Sequence, residues 1–381
     1  MKKILVIFGT RPEAIKLYPI IKTLKKEKSI NTKICITAQH RSMLDDVLQI
    51  FDIIPDYDLD IMQESQDLFS ISTNILIKLK PILCDFNPEL ILVHGDTTTT
   101  FISALAGFYF KIKIAHIEAG LRTFDKYNPF PEEINRELTT KLATYHFAPT
   151  KLAYKNLIKD GIKRQNIRIV GNSVIDTLKL TLNKIKQDRV YKESIISSIL
   201  DSKLKDSKLL DSKFILVTAH RRESFGVEIQ NIANALKEIA LALPNINIIY
   251  PLHLNPNIYI PMKKILGNIS NIYLIEPLSY EKFLYLMYKS YLILTDSGGI
   301  QEEATYLHKP TLILRNKTER KEALLCKTLR LIGTNKENII KATLSLFNEP
   351  KVYKNMANPK NPLVFGDGNS AKKIVNFIKK L

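Results

Sequence analysis

Tryptophan is missing from the 381 residues, and cysteine occurs only three times, at Cys35, Cys84 and Cys326. An odd number of thiols so far apart in sequence implies no disulfide framework and no metal cluster, and it suits a reducing cytoplasm. Long apolar runs are missing too. None approaches the roughly 20 residues that span a bilayer, so no membrane partner is expected. The start, Met1-Lys2-Lys3 followed by Ile4 to Phe8, imitates a signal peptide, but its apolar run is too short and ends in Gly9-Thr10-Arg11. Acid is scarce relative to base: 38 Asp and Glu against 56 Lys and Arg leave a formal charge of +18. A surplus of that size favours an anionic partner, which by charge alone includes nucleic acid, a membrane surface or a phosphorylated metabolite. Most of it is lysine spread along apparent helix faces, densest between Lys179 and Lys213. With no arginine–aromatic interleaving to stack bases and no zinc-ligand spacing, nucleic acid ranks behind a small phosphorylated ligand.

Against these absences stands a regular alternation of short apolar runs and amphipathic stretches, the pattern of parallel βα units in an α/β protein. The first half reads as strands at Ile4 to Phe8, Ile34 to Thr37, Leu90 to Val93, Ile112 to His116, Tyr145 to Ala148 and Ile167 to Val170. A lysine-rich segment follows, in which Asp-Ser-Lys recurs at 201, 206 and 211, and which reads as helix plus solvated connector. The alternation restarts at Phe214 to Thr218, Ile246 to Tyr250, Ile272 to Ile275, Tyr291 to Leu294 and Pro310 to Leu314. A chain of this length suits two domains. The expected division is 1–172 and 173–368, with a final helix at 369–381 crossing back to the first domain, and a cleft between two facing halves.

Open α/β sheets bind ligands at the carboxyl ends of their strands, so the residues after each run carry the functional argument. The richest such stretch is Thr295-Asp296-Ser297-Gly298-Gly299-Ile300-Gln301-Glu302-Glu303. A strand that breaks at two glycines into a helix leaves backbone N–H groups free to receive an anion, with no Cβ in the way. Glu303 lies about one turn further on, and Arg315, Lys317, Arg320 and Lys321 supply cations after the next strand. A bare helix start explains a lone Ser-Gly-Gly; the added charges favour a phosphate ester. In the first half, Thr10-Arg11-Pro12-Glu13 reads as a capping box that sets Arg11 and Lys16 at a helix mouth. Asp96 and Glu118 end the next strands, where simple capping is the competing explanation for Asp96. Pro131 opens a helix with Glu132 and Arg136 four apart on one face, either an exposed ion pair or a third carboxylate at the same sheet edge. His220-Arg221-Arg222-Glu223 puts an anion-holding pair beside a proton donor, His253 follows a later strand, and Phe283 by default belongs to the core.

Six of these stretches together resemble the bacterial non-hydrolysing UDP-N-acetylglucosamine 2-epimerases. They are Gly9-Thr10-Arg11-Pro12-Glu13-Ala14-Ile15-Lys16, His94-Gly95-Asp96-Thr97-Thr98-Thr99, Glu118-Ala119-Gly120-Leu121-Arg122-Thr123, Pro131-Glu132-Glu133-Ile134-Asn135-Arg136, His220-Arg221-Arg222-Glu223 and Asp296 to Glu303. The likeness runs from residue 2 past Gly366-Asp367-Gly368 into the last helix. It implies the glycosyltransferase-B architecture, two Rossmann-like domains facing a central cleft, and a cytoplasmic homodimer that uses no cofactor or metal and serves surface polysaccharide synthesis. The implied reaction inverts carbon 2 of UDP-N-acetylglucosamine, giving UDP-N-acetylmannosamine, by eliminating UDP to a bound 2-acetamidoglucal and adding it back. On that likeness Asp96, Glu118 and Glu132 are the carboxylates at the sugar, with Arg136 and His220 beside them. Arg11, Lys16, Ser297, Gly298, Gly299 and Arg320 hold the UDP, Glu303 the ribose and Phe283 the uracil face, and His253 joins the substrate-binding set. Some members bind a second UDP-N-acetylglucosamine as activator. Gln39 and Arg221 match positions used there, whereas Ser42 and Ser65 stand where those members carry Gln and Arg. Lys321 stands where the family commonly has proline.

Three other readings compete. A hydrolysing relative would release N-acetylmannosamine and UDP, but its first motif normally differs from Arg11-Pro12-Glu13-Ala14-Ile15-Lys16. A glycosyltransferase of the same architecture would need an acceptor. A non-catalytic UDP-sugar binder would hold the nucleotide without exchanging the carbon 2 proton.

Overall fold

Strands buried on both faces need apolar side chains at every position, not at alternate ones, and four runs here meet that demand. They become β1 (Lys2–Phe8), β4 (Leu90–His94), β8 (Phe214–Thr218) and β11 (Leu292–Thr295), whose side chains are almost all buried. A computed structural model describes residues 1–39, 41–63, 66–201, 204, 208–221, 225–318, 320–359 and 363–381, without the side chain of Ser42. The chain forms two compact units, residues 1–177 with 365–381 and residues 178–364.

In the first unit β2 (Ile30–Ile36), β3 (Tyr57–Asp58), β5 (Lys113–Ile117), β6 (Tyr145–Ala148) and β7 (Ile167–Ile169) join β1 and β4 in a parallel sheet of order β3-β2-β1-β4-β5-β6-β7. In the second, β9 (Asn247–Pro251), β10 (Ile272–Ile275), β12 (Thr311–Ile313) and β13 (Leu329–Leu331) complete a parallel sheet of order β10-β9-β8-β11-β12-β13. Both sheets therefore run outward in two directions from their first strand, the doubly wound Rossmann order. The order reverses between β1 and β4 in one unit and between β8 and β11 in the other. At such a reversal the helices that follow the two strands lie on opposite faces, and the strand tips are left open to a ligand.

Each unit has its own core. Leu5, Ile7, Ile91 and Val93 pack with Ile75, Leu79 and Leu83 of the helix Leu68–Phe86. Ile215, Val217, Leu292 and Leu294 pack with Ile232, Leu236 and Ile239 of the helix Val227–Ala242. The chain leaves the first unit through the helix Ser173–Gln187, whose first turn is tied back by Thr177 Oγ1 donating to Ile15 O at 2.6 Å. It returns at Phe365, and the carboxylate of Asp176 accepts Ser370 N and Ala371 N at 3.1 and 2.9 Å to cap the final helix Ser370–Lys379. Among the described residues no helix is long and apolar enough to cross a membrane.

Candidate active site

The site residues of the first unit are the ones that follow β1, β4 and β5. After β1, Thr10 and Glu13 close the capping box of the helix Arg11–Leu24. Glu13 is fully buried and does more than cap: Oε2 accepts Gly9 N, Thr10 N and Thr10 Oγ1 at 3.1, 2.9 and 2.8 Å, and Oε1 accepts Thr97 Oγ1 and Thr100 Oγ1 at 2.9 and 3.1 Å. Burial pushes its pKa up and these donors oppose that rise. The turns after β1 and β4 are thereby fastened to one carboxylate.

After β4, Asp96 Oδ2 accepts Arg136 Nη2 at 2.6 Å, and Asn135 Nδ2 donates to Asp96 O at 3.0 Å. Both partners come from the helix Glu132–Leu142. The sequence leaves Glu132 and Arg136 either as an exposed ion pair or as part of a carboxylate edge; in the structure Arg136 is buried, and it pairs with Asp96 and, through Nη1 at 2.9 Å, with Glu133. Glu133 is the fully buried one, since its Oε1 also accepts Thr123 N and Phe124 N at 2.9 and 3.0 Å, while Glu132 is half-buried at the helix start. The loop that needs an acceptor lies on the side Glu133 faces, and this decides which acid meets the arginine.

After β5, Glu118 holds φ at +62°, a left-handed conformation that costs a residue with a Cβ on the order of 1 kcal/mol or more and is kept only where neighbours enforce it. The neighbours are Lys16, which donates to Glu118 Oε2, and Asn172, whose Nδ2 donates to the same oxygen at 2.6 Å. His94 Nε2 stands 3.9 Å away. Burial holds the His94 pKa down at about 4, with Glu118 opposing and Lys16 adding to the effect. The imidazole is therefore neutral near pH 7. Lys16, expected beside the nucleotide, is placed on the Glu118 carboxylate, and Arg11 opens the helix Arg11–Leu24.

In the second unit the residues after β8 and β11 are locked to one another. Asp296 is fully buried, and its Oδ2 accepts the backbone N–H of His220 and Arg221 at 2.6 and 2.8 Å. His220 Nδ1 lies 3.6 Å from Oδ1, and the His220 ring stacks on His253 with centroids 5.8 Å apart. Loss of solvent holds the His220 pKa below its usual value; Asp296 opposes this, and His253 and Arg221 add to it. His253 Nδ1 accepts Asn255 N at 3.1 Å, which assigns its ring proton to Nε2.

Ser297 precedes the helix Gly298–Tyr306 as its N-cap residue. A Cβ added at Gly299 would meet nothing within 4 Å, so no protein neighbour requires glycine there. Glu303, on the same helix, is buried and accepts Tyr280 OH at 2.7 Å. Tyr280 opens the helix Tyr280–Lys289, and Phe283 sits three residues on, the spacing that shares a helix face. Phe283 is half-buried and stands outside the main apolar cluster of its unit. Arg320 Nε pairs with Glu302 Oε1 at 3.2 Å, and Gln301 links Ser297 O to Thr318 Oγ1. Lys321 is the first residue of the helix Lys321–Leu325, a position that proline also tolerates. Arg222, Glu223 and Ser65 lie outside the described residues, as does the side chain of Ser42. Among the described residues no group of three or more His, Cys, Asp or Glu could hold a metal ion.

Sequence reasoning missed four side chains that shape these tips: Glu13 beyond its cap, Glu133, Asn172 and Tyr280. The Asp296 carboxylate was singled out only as part of its motif. The glutamates lay inside quoted motifs, and Asn172 carried an N-cap signal before a helix; their partners, many residues away, left no local trace.

A family model for UDP-N-acetylglucosamine 2-epimerase matches residues 22–379. The chain is similar to the UDP-N-acetylglucosamine 2-epimerase of Campylobacter jejuni, 52% identical over 380 residues, covering 100% of this chain and 98% of that protein. It superposes on the UDP-GlcNAc 2-epimerase of Neisseria meningitidis, solved bound to UDP-GlcNAc, with a TM-score of 0.92, 48% identity and full coverage of both chains. The Methanocaldococcus jannaschii UDP-GlcNAc 2-epimerase, solved with UDP-GlcNAc and UDP, gives a TM-score of 0.83 at 35% identity, again over 100% of each chain. With two Rossmann-like units and a match along nearly its whole length, the chain belongs to the UDP-N-acetylglucosamine 2-epimerase family, which are isomerases.

Proposed function

We propose that the chain inverts carbon 2 of UDP-N-acetylglucosamine to give UDP-N-acetylmannosamine, by eliminating UDP to 2-acetamidoglucal and adding it back from the same site without hydrolysis. The carbon 2 proton is weakly acidic, so loss of a good leaving group from carbon 1 lightens the work of the base. The observation that carries this reading is the chemistry on the strand tips at and beside the two strand-order reversals. In the first unit Asp96 and Glu118 are carboxylates held by cations, Arg136 and Lys16 respectively. In the second, a glycine helix start at Ser297 to Gly299 offers backbone N–H groups to an anion.

The roles follow from those positions. Asp96, Glu118 and Glu132 serve the sugar, Arg136 orients Asp96, and His220 neutralises charge that develops in the reaction. Ser297, Gly298, Gly299, Arg11 and Arg320 hold the diphosphate, Glu303 takes the ribose hydroxyls, Phe283 covers the uracil, and His253 lines the substrate through its stack on His220. Lys16 acts on Glu118. The room beside Gly299 is what a phosphate needs, and glycine keeps it open.

The reading extends to a cytoplasmic homodimer supplying surface polysaccharide synthesis. Support for self-association comes from the packed helices Leu68–Phe86 and Thr98–Tyr109, which expose Phe69, Ile77, Phe108 and Tyr109 at 82, 65, 55 and 65%. A proton-NMR time course of UDP-N-acetylglucosamine in deuterium oxide tests the reaction. The expected result is a second UDP-sugar with deuterium at carbon 2. Free UDP and free sugar accumulating together would assign the hydrolysing reaction, and binding without exchange would leave only a UDP-sugar binder.

A further inference from the structure

We propose that Asn172 is a positioning residue, whose side-chain amide fixes the orientation of the Glu118 carboxylate and favours its ionised form; this rests on Glu118 acting at the sugar as proposed above. Asn172 follows β7, is 2% exposed and precedes the helix Ser173–Gln187. Its Oδ1 accepts Val174 N at 3.1 Å, as an N-cap asparagine does. That bond settles which end of the amide is which. The oxygen faces the helix, so the NH2 group must face the other way, and there Nδ2 meets Glu118 Oε2 at 2.6 Å.

The backbone beneath the amide is held as firmly. Asn172 N donates to Phe365 O at 2.6 Å, where the chain re-enters the unit. Gly171, at φ +92°, passes so close to the returning segment that a Cβ would stand 2.8 Å from Ser370 Oγ and 3.0 Å from Gly366 Cα. With main chain and amide oxygen both anchored, the NH2 group has no room to swing away. Charged and titratable groups facing Glu118 include Lys16, from the helix Arg11–Leu24, and His94, from β4; the turn at Gly95 also carries Asp96, whose carboxylate is paired with Arg136. Lys16 supplies charge through a flexible stem. Asn172 supplies direction, a neutral donor on a short rigid arm, and a base that must reach one carbon-bound proton depends on direction.

Asn172→Asp separates this role from capping. Aspartate caps a helix about as well as asparagine, so the fold keeps its bond to Val174. The donor toward Glu118 is replaced by a second carboxylate oxygen, and two carboxylates in hydrogen-bond contact do not ionise independently. The test uses the full chain and measures kcat and KM against pH for wild type, Asn172→Asp and Asn172→Ser, with UDP affinity and melting temperature as controls. For Asn172→Asp the expected result is a melting temperature lower by about 2–4 °C, the linked cost of a buried carboxylate pair, UDP affinity and KM within about twofold, kcat lower by about 100-fold near pH 7, and an acid limb of kcat displaced upward by about one pH unit or more. Asn172→Ser, which can still cap but falls short of Glu118, should lose about tenfold in kcat with the limb in place. Wild-type kcat and pH profile in Asn172→Asp would overturn the inference, as would full kcat in Asn172→Ser. A wild-type chain that exchanges no deuterium at carbon 2 defeats the catalytic reading itself; an active wild type beside an unaltered Asn172→Asp defeats this inference alone.

Discussion

Asp96 and Asp296 occupy the same topological place, directly after the fourth strand of their sheets, and are put to opposite uses. The Asp96 side chain keeps 26% of its surface exposed and binds a guanidinium; the Asp296 side chain keeps none and binds two backbone N–H groups. One carboxylate is presented and the other is consumed in shaping a loop. Elsewhere on the tips the contrast is one of emphasis, since Glu13 and Glu133 also take backbone N–H groups in the first unit and Arg320 pairs with Glu302 in the second. The first unit sets charge against charge, Asp96 with Arg136 with Glu133 and Lys16 with Glu118. The second shapes main chain, bringing the His220 segment and the Ser297 helix start together around a buried acid. A shared strand order thus fixes where chemistry is placed, and the residues on the tips fix what kind it is.

The comparison is broken most directly at Asp96 and Glu118. Asp96→Asn or Glu118→Gln should lower kcat by about a thousandfold, the range of a lost acid/base group, while UDP affinity stays within about twofold. Isothermal titration with UDP beside turnover by NMR measures both. If either variant lost UDP affinity and kept turnover, the carboxylates would belong to the nucleotide and the two units would not differ as described. Asp296→Ala should act in the other sense. It strips the acceptor from two backbone N–H groups, each costing about 1–3 kcal/mol, so a stability loss of about 3 kcal/mol is expected. Asp96→Ala leaves Arg136 its bond to Glu133 and should cost about 1 kcal/mol. Urea unfolding of the two alanine variants gives the ranking, and a reversed order would undo the assignment of jobs.

How much of this was legible beforehand follows the same physics. The central strands announce themselves because burial on both faces demands unbroken apolar runs, so the tips of β1, β4, β8 and β11 could be marked from sequence. The edge strands β3 and β13, of two and three residues, went unread since a pattern needs length. Glu133 and Glu132 differ by one step, about 100° around the helix, and only the loop at Thr123 and Phe124, which needed an acceptor, chose between them. Lys16 with Glu118, and Asn172 with Glu118, are pairings across β-units that no local periodicity encodes. Chemistry that sits on one turn was visible; chemistry assembled from several turns was not.

Acid should sharpen the contrast between the units. His94 pairs with Ile117 across β4 and β5, His116 pairs with Val93, and His116 faces His146 on β6. Burial holds their pKa values down at about 4, 3 and 4 respectively. An unfolded histidine titrates near 6.5. Between that pH and the depressed values the unfolded chain binds more protons, so stability falls as pH drops below 6.5 and is whole above it. Each histidine contributes up to about 1.4 kcal/mol per pH unit to that slope. His116→Gln, which keeps a donor for Gly95 O, should flatten the pH dependence of hydrogen exchange at β5 by about that amount and leave β8 unmoved. An unchanged slope at β5 would mean that His116 is already protonated in the fold.

The smallest expected effect is the most discriminating, because it falls in the second unit and should appear in a different constant. Tyr280 OH donates to Glu303 Oε1 at 2.7 Å, with both residues buried. Tyr280→Phe keeps the ring and removes one donor. A hydrogen bond to a carboxylate contributes about 1.5–3 kcal/mol, and Glu303 has a further contact to lean on, so the loss should lie near the lower end. If Glu303 grips the ribose, that energy is shared by ground state and transition state alike. KM should then rise by about tenfold with kcat unchanged. Loosening a neighbour of Glu118 should leave KM alone and reduce kcat. A Tyr280→Phe variant with a lower kcat and an intact KM would mean that the second unit also acts on the reacting carbon, and the division between gripping and proton transfer would have to be redrawn.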